Sequence, residues 1–297
     1  MKKIKKFFQY DNIGLLFVLP AFIYMLVFVG YPILRNILLS FQDVTAMNLV
    51  QGERSLVGLK NYMDIFQDSV FRTSLKNTLI FTVCCLAVQF TIGFALAVFF
   101  NKNFVIAKPL RGILLVPWMI PITVTALIFK LLFATDIGVL NFILKGLNLI
   151  SSNIEWLTTP STAMAALVCA NVWIGIPFNM ILISTGLTTI PKELYESSSI
   201  DGATGVQTFF KVTLPLLRPT IESVLILGFI YTFKVYDLVY VMTNGGPVNS
   251  THMLSTYSYK LSFTMFQYSK GSAVANVLLI ILLIVGVFYL KVTGEEE

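Results

Sequence analysis

Long stretches of this 297-residue chain run without a single charged side chain, among them 12–34, 77–101, 112–129, 156–191, 223–233 and 271–290. A helix needs roughly 20 apolar residues to cross the hydrocarbon core of a bilayer, so runs of this kind are spanning candidates. The rest of the composition agrees. The chain is 56% hydrophobic and 12% charged, about half the charged share of a soluble globular domain, with a mean hydropathy of +0.81. The expected fold is all-α and polytopic, one transmembrane domain over 1–297, with six helices at about 12–34, 76–101, 110–133, 158–187, 220–243 and 271–291. The fifth run is short because Lys234 and Asp237 interrupt it, and its apolar pattern resumes through Met242.

Orientation follows from the basic residues. With the N-terminus inside, segments 1–11, 101–111, 191–219 and 291–297 hold eleven lysines and arginines in 58 positions, against eight in 95 for the outer segments 35–76, 134–158 and 244–271. That asymmetry predicts cytoplasmic termini. The net charge of +6 then reads as membrane-surface anchoring, not nucleic-acid affinity, because the lysines of "MKKIKKFF" flank a span. A basic start before an apolar run also suits a signal peptide, but 23 uncharged residues exceed a typical h-region and no A-x-A site follows, so an uncleaved first span is expected.

Catalytic and metal chemistry find no foothold. Cys84, Cys85 and Cys169 all fall within expected spans, and an odd number there argues against a disulfide framework. His252 is the sole histidine and reads as an exposed loop residue, which leaves no metal ligand set. No GxxxxGK[ST] loop occurs, so the chain does not hydrolyse ATP by itself and no catalytic residue is assigned. Asn249 to Thr251 matches N-x-T, a pattern too short to carry weight.

One segment is polar where its neighbours are not: "ELYESSSIDGATGVQTFFKVTLPLLRP", Glu193 to Pro219, within the expected loop 188–219. Pro191 suits a first helical position, with Thr188 and Thr189 as candidate caps, for a helix ending near Ile200. Asp201 and Gly202 break it. Val206, Phe209, Phe210 and Leu214 then recur at helical spacing until Pro215. Periodicity alone leaves two readings of this hairpin: a helix-in-groove ligand for another protein, or an amphipathic element on the headgroups.

The order Glu196, Ser197, Ser198, three residues, Gly202, nine residues, Val212, Thr213, Leu214, Pro215 resembles the EAA loop of ATP-binding-cassette importer permeases, Glu-Ala-Ala, three residues, Gly, nine residues, Ile-x-Leu-Pro. Both alanines are serine here and the isoleucine is valine. The resemblance extends along the chain, through "LPAFIYMLVFVGYPILRNILLSFQD", "NVWIGIPFNMILISTGLTTIPKELYE" and "FKVYDLVYVMTNGGPVNST", towards the carbohydrate-uptake branch of maltose and glycerol-phosphate type. It implies a coupling helix that docks in a cleft of a separate ATPase, carried here by Glu196, Ser197, Ser198, Asp201, Gly202, Val206, Phe209, Phe210, Leu214 and Pro215. It also implies a bacterial-type plasma membrane location, a homologous second permease, two ATPase subunits that bind ATP and magnesium, and an extracellular sugar-binding protein. No cofactor is implied for this chain.

Two helical faces suit a sugar path. Asn171, Ile174, Gly175 and Phe178 fall at i, i+3, i+4 and i+7 of the fourth span, and Gly228, Tyr231, Thr232 and Val235 repeat that spacing on the fifth. In similar permeases the equivalent faces line the translocation cavity. Aromatic rings stack on pyranose faces while amides and hydroxyls bind the rim; helix packing against small residues accounts for the same spacing. Trp118 and Trp173 read as packing or interface residues. The rival class is a self-sufficient ion-coupled carrier using Lys234 and Asp237, three apart on one helix face, but it leaves the hairpin without a role.

Overall fold

The computed structural model describes residues 10–52, 54–101 and 106–294. The lysines of the N-terminal octapeptide, Lys102 and the three terminal glutamates lie outside the described residues. The chain divides into two compact units, one of Met1–Phe66 with Ser258–Asn276, the other of Gln67–Tyr257 with Val277–Glu297.

In the first unit, α1 (Tyr10–Met25) passes through a single π-turn, Leu26–Gly30, into α2 (Tyr31–Ser40). The first span therefore reaches Ser40, beyond the expected end at Leu34. Its apolar side chains, Phe17 and Phe28 among them, are exposed, as a lipid-facing helix requires. A two-residue antiparallel ladder of β1 (Gln42–Asp43) and β2 (Ser55–Leu56) brackets α3 (Ala46–Gln51), which Thr45 caps. Next comes α4 (Lys60–Gln67). Buried Asn61 ties α4 to the end of the span, its amide donating to the carbonyls of Ser40 at 2.9 Å and Gln42 at 2.8 Å.

The second unit opens with α5 (Ser69–Phe100), started by Asp68, whose Oδ1 accepts from the Val70 amide at 2.8 Å. The other carboxylate oxygen accepts from the Tyr257 hydroxyl. Burial, and then the adjacent carboxylate, push the Tyr257 phenol above its ordinary value. The expected third span is not one rod. It is α6 (Ala107–Met119) and α7 (Ile122–Leu132), bent by 92°. Pro121 removes a helical donor and forces Ile120 into extended backbone, at φ −75° and ψ 134°. Lys130, in the last turn of α7, donates to the Val241 carbonyl at 3.1 Å.

After α8 (Val139–Gly146), α9 (Pro160–Thr189) is the longest helix to follow. Thr188 and Thr189 do not cap the next helix. They close the last turn of α9, donating to the carbonyls of Thr185 and Gly186, and Pro191 occupies the N-cap of α10 (Lys192–Ile200). The second hairpin arm consists of α11 (Gly205–Thr208), a π-turn at Phe209–Thr213 and α12 (Leu214–Leu216). Pro215 lies inside that arm and does not end it: the first turn of a helical segment has no donor requirement there. The chain bends 63° into α13 (Arg218–Phe233), breaks, and resumes as α14 (Asp237–Met242), α15 (Leu254–Tyr259) and α16 (Tyr268–Gly294).

Four helices are long and apolar enough to cross a membrane, and the two bent pairs bring the candidate crossings among the described residues to six. Close approaches at glycines fix helix directions. A Cβ on Gly175 would meet the Gln89 amide and one on Gly93 would meet the Asn179 side chain. Both positions advance together, so α5 and α9 run parallel. Gly186 abuts Thr220 while Phe178 meets Tyr231, a reversed order that makes α9 and α13 antiparallel. Small residues at these crossings let backbones touch in a medium where no hydrophobic force drives helices together.

Candidate functional site: a cavity between three helices

Where α5, α9 and α13 approach one another they line, with Trp118 of α6 and Ile122 of α7, a half-open cavity of about 400 Å³. All eight residues of the two expected faces line it: Asn171, Ile174, Gly175 and Phe178 from α9, and Gly228, Tyr231, Thr232 and Val235 from α13 and its end. Three aromatic rings form a row. Trp118 stacks on Phe178 at 6.0 Å between centroids, and Phe178 meets Tyr231 edge-on at 5.9 Å. The Lys234 ammonium sits 5.2 Å from the Tyr231 ring centre, which extends the row with a cation–π contact.

Lys234 caps α13 and Asp237 opens α14, so the two do not share a helix face as their spacing suggested. Among the described residues no ion pair joins them. Both line the cavity, with Tyr236 between them. The break frees carbonyls that would otherwise be bonded within a helix, and Ser255 Oγ takes up that of Val235.

Sequence reasoning did not single out Gln89, Asn179 or the cavity role of Trp118. Two signals were present. Asn179 extends the α9 face to i+8 from Asn171, and Gln89 is an amide in the middle of an otherwise apolar span. Trp173, by contrast, packs as expected, with its ring 5.4 Å from Phe129. His252 is not an exposed loop residue. It is buried, with Nδ1 3.2 Å from the Thr256 hydroxyl and its ring filling the space over Gly245. The tight "TNGGP" turn folds back on it.

The hairpin of loop 188–219 is a second, separate feature. Gly202 sits at φ +73°, and the amides of Gly202 and Ala203 donate back to Ser199 and Ser198, closing α10 with a left-handed residue. Thr204 and Gln207 form a reciprocal capping box that starts the second arm. Ser198 is buried against that arm, its hydroxyl 3.2 Å from that of Thr208. Glu196, Ser197, Asp201, Val206 and Pro215 are exposed, and Leu214 is half-buried. The two aromatic rings meet edge-on at 5.1 Å but differ in surroundings: Phe209 also packs edge-on against Phe94 of α5 at 5.9 Å, whereas Phe210 remains 61% exposed.

Among the described residues no group of three His, Cys, Asp or Glu side chains is placed to hold a metal ion.

Residues 89–292 match the family described as binding-protein-dependent transport system inner membrane component. The chain is 34% identical over 282 residues to the trehalose/maltose transport system permease protein MalF of Thermococcus litoralis, covering 95% of this chain and 93% of that one. It is 32% identical over 285 residues to the sulfoquinovosyl glycerol transport system permease protein SmoG of Agrobacterium fabrum, covering 96% and 91%. Among solved structures, a chain of a bacterial ABC transporter involved in the import of the acidic polysaccharide alginate superposes with a TM-score of 0.80 at 25% identity, over 98% of each chain. The family match covers more than half of the chain, and six candidate crossings agree with it: the chain belongs to the binding-protein-dependent family of ABC transporter inner-membrane permeases.

Proposed function

We propose that this permease moves a carbohydrate, in an importer completed by a second homologous permease, two ATPase subunits and an extracellular sugar-binding protein. The observation that carries the cargo class is the cavity wall: the row Trp118, Phe178, Tyr231 beside the amides of Gln89, Asn171 and Asn179. Flat apolar rings match the C–H faces of a pyranose and amides match its hydroxyls. The names of the trehalose/maltose and sulfoquinovosyl glycerol permeases point the same way.

Both termini and the 188–219 hairpin face the cytoplasm in this reading, in line with the positive-inside asymmetry. ATP and magnesium belong to the ATPase subunits. Their closure pushes on the exposed end of the hairpin, around Ile200, Val206 and Phe210, and tilts the helices that line the cavity. ATP shifts the permease between outward- and inward-open states only by its differential affinity for the two. Lys234 and Asp237 need no role in ion coupling.

The test is uptake by proteoliposomes holding the complete importer with saturating binding protein. A panel of labelled di- and trisaccharides, maltose and trehalose included, is expected to enter only with ATP inside the face that carries the ATPases. Uptake by this chain alone, driven by a proton or sodium gradient, would overturn the proposal.

A further inference from the structure

Gln89 lies mid-span in α5 and is buried to 3% exposure, yet it lines the cavity. Its Nε2 donates to the Asn171 main-chain carbonyl at 2.9 Å, across 82 residues of sequence. A carbonyl oxygen only accepts, so Nε2 must face it, and that settles which way the amide points. Oε1 therefore turns away from Asn171, and it accepts no hydrogen bond from the described residues, so a donor that enters the cavity finds an acceptor there.

The neighbouring glycine is part of the same arrangement. A Cβ on Gly175 would lie 2.3 Å from Gln89 Cδ, 2.4 Å from Nε2 and 2.5 Å from Oε1, inside the amide itself. Gly175 thus has no side chain because the Gln89 amide fills that space. One turn further on, the pattern repeats in reverse: Gly93 of α5 receives Asn179, whose Cβ would be 2.6 Å from a Cβ on the glycine. The two notches lock α5 and α9 together and leave the Gln89 amide little freedom to rotate.

We propose that Gln89 is a specificity-determining residue of the cavity, accepting a hydrogen bond from a cargo hydroxyl at Oε1 while its bond to Asn171 and the bare Gly175 backbone hold it in place. The assignment rests on the carbohydrate reading above. It accounts for an amide in the middle of an apolar helix and for the absence of a side chain at residue 175.

The experiment uses the complete importer in proteoliposomes, with the binding protein saturated, and compares each transported disaccharide with its monodeoxy forms. For wild type, removing the hydroxyl that Gln89 reads is expected to lower the rate roughly tenfold, as loss of one buried partner does. Gln89→Met, which keeps the length and loses the acceptor, is expected to treat parent and deoxy sugar alike. Gly175→Ala displaces the amide and is expected to flatten the same ratio. Rates that fall equally for every sugar, with the wild-type ratio preserved in Gln89→Met and Gly175→Ala, would show a packing residue and overturn the assignment. A wild-type importer that moves no sugar of the panel overturns the carbohydrate reading itself, and this assignment with it, and that outcome is seen in the wild-type arm alone.

Discussion

Gly202 and Gly245 both hold positive φ, +73° and +80°, and a Cβ meets very different surroundings at each. At Gly202 it meets nothing within 4 Å; at Gly245 it lies 2.1 Å from the buried His252 ring. Gly202→Ala is expected to cost only the left-handed backbone penalty, about 1–2 kcal/mol. Gly245→Ala adds a steric conflict with a ring that has nowhere to go and should unfold at a distinctly lower temperature in detergent; equal melting of the two variants would refute this difference. Because the space over Gly202 is open within this chain, bulk there is felt only by a docked partner. Gly202→Asp is therefore expected to leave the fold intact and to reduce ATPase stimulation and uptake together, measured in the same vesicles. In the cavity, Asn171→Leu and Tyr231→Ala remove a hydrogen-bonding amide and an aromatic wall. Each is expected to lower maximal uptake, by about 1–3 kcal/mol in the case of the amide, while the concentration at half-maximal uptake stays set by the binding protein. Wild-type uptake from both would mean that these faces only pack helices.

Among the elements, the hairpin combines a rigid start with an exposed end. The capping box of Thr204 and Gln207 satisfies donors that a short arm has no other means of pairing. Thr204→Ala is expected to cost about 1 kcal/mol and to loosen this arm before any span, visible as faster amide exchange confined to residues 204–216. Phe209 and Phe210, adjacent in sequence, separate the two jobs of the arm. Phe209 seats it on Phe94, and Phe210 stays exposed. Phe210→Ala should weaken co-purification with the ATPase subunits by about 2 kcal/mol or more if it is a buried anchor of that interface. Phe209→Ala should instead loosen the hairpin itself. The reverse pattern would exchange their roles. The bent third span belongs to this scale as well: Pro121 dictates that Ile120 leaves the helix, so the 92° turn is a local backbone property.

For the whole molecule, the parallel run of α5 and α9 and the reversed α13 are what alternating crossings demand of the second, fourth and fifth spans. Single cysteines at exposed Gln207 and at Val248, 91% exposed, in a background with Cys84, Cys85 and Cys169 changed to alanine, test the sidedness. From outside intact cells an impermeant thiol reagent is expected to label Val248→Cys and to spare Gln207→Cys; the opposite labelling would invert the topology. Some of this architecture depends only on composition and short-range periodicity, and so was legible without coordinates. Uncharged runs set the crossings, lysine and arginine density predicted their direction, and the 3.6-residue period put Asn171, Gly175, Tyr231 and Thr232 on faces that do meet at one cavity. The sequence also marked the hairpin, through the Gly202 break and the apolar stripe after it. Tertiary structure alone decided which distant faces touch. It brought Gln89 to Asn171, buried His252 over Gly245, turned Phe209 inward and Phe210 outward, and separated Lys234 from Asp237 by a helix break. The physical reason is that a residue's spacing records only its position on its own helix, while its partners depend on where that helix breaks and on how closely it approaches another; for Gln89 and Asn171 the glycines at 93 and 175 set that approach.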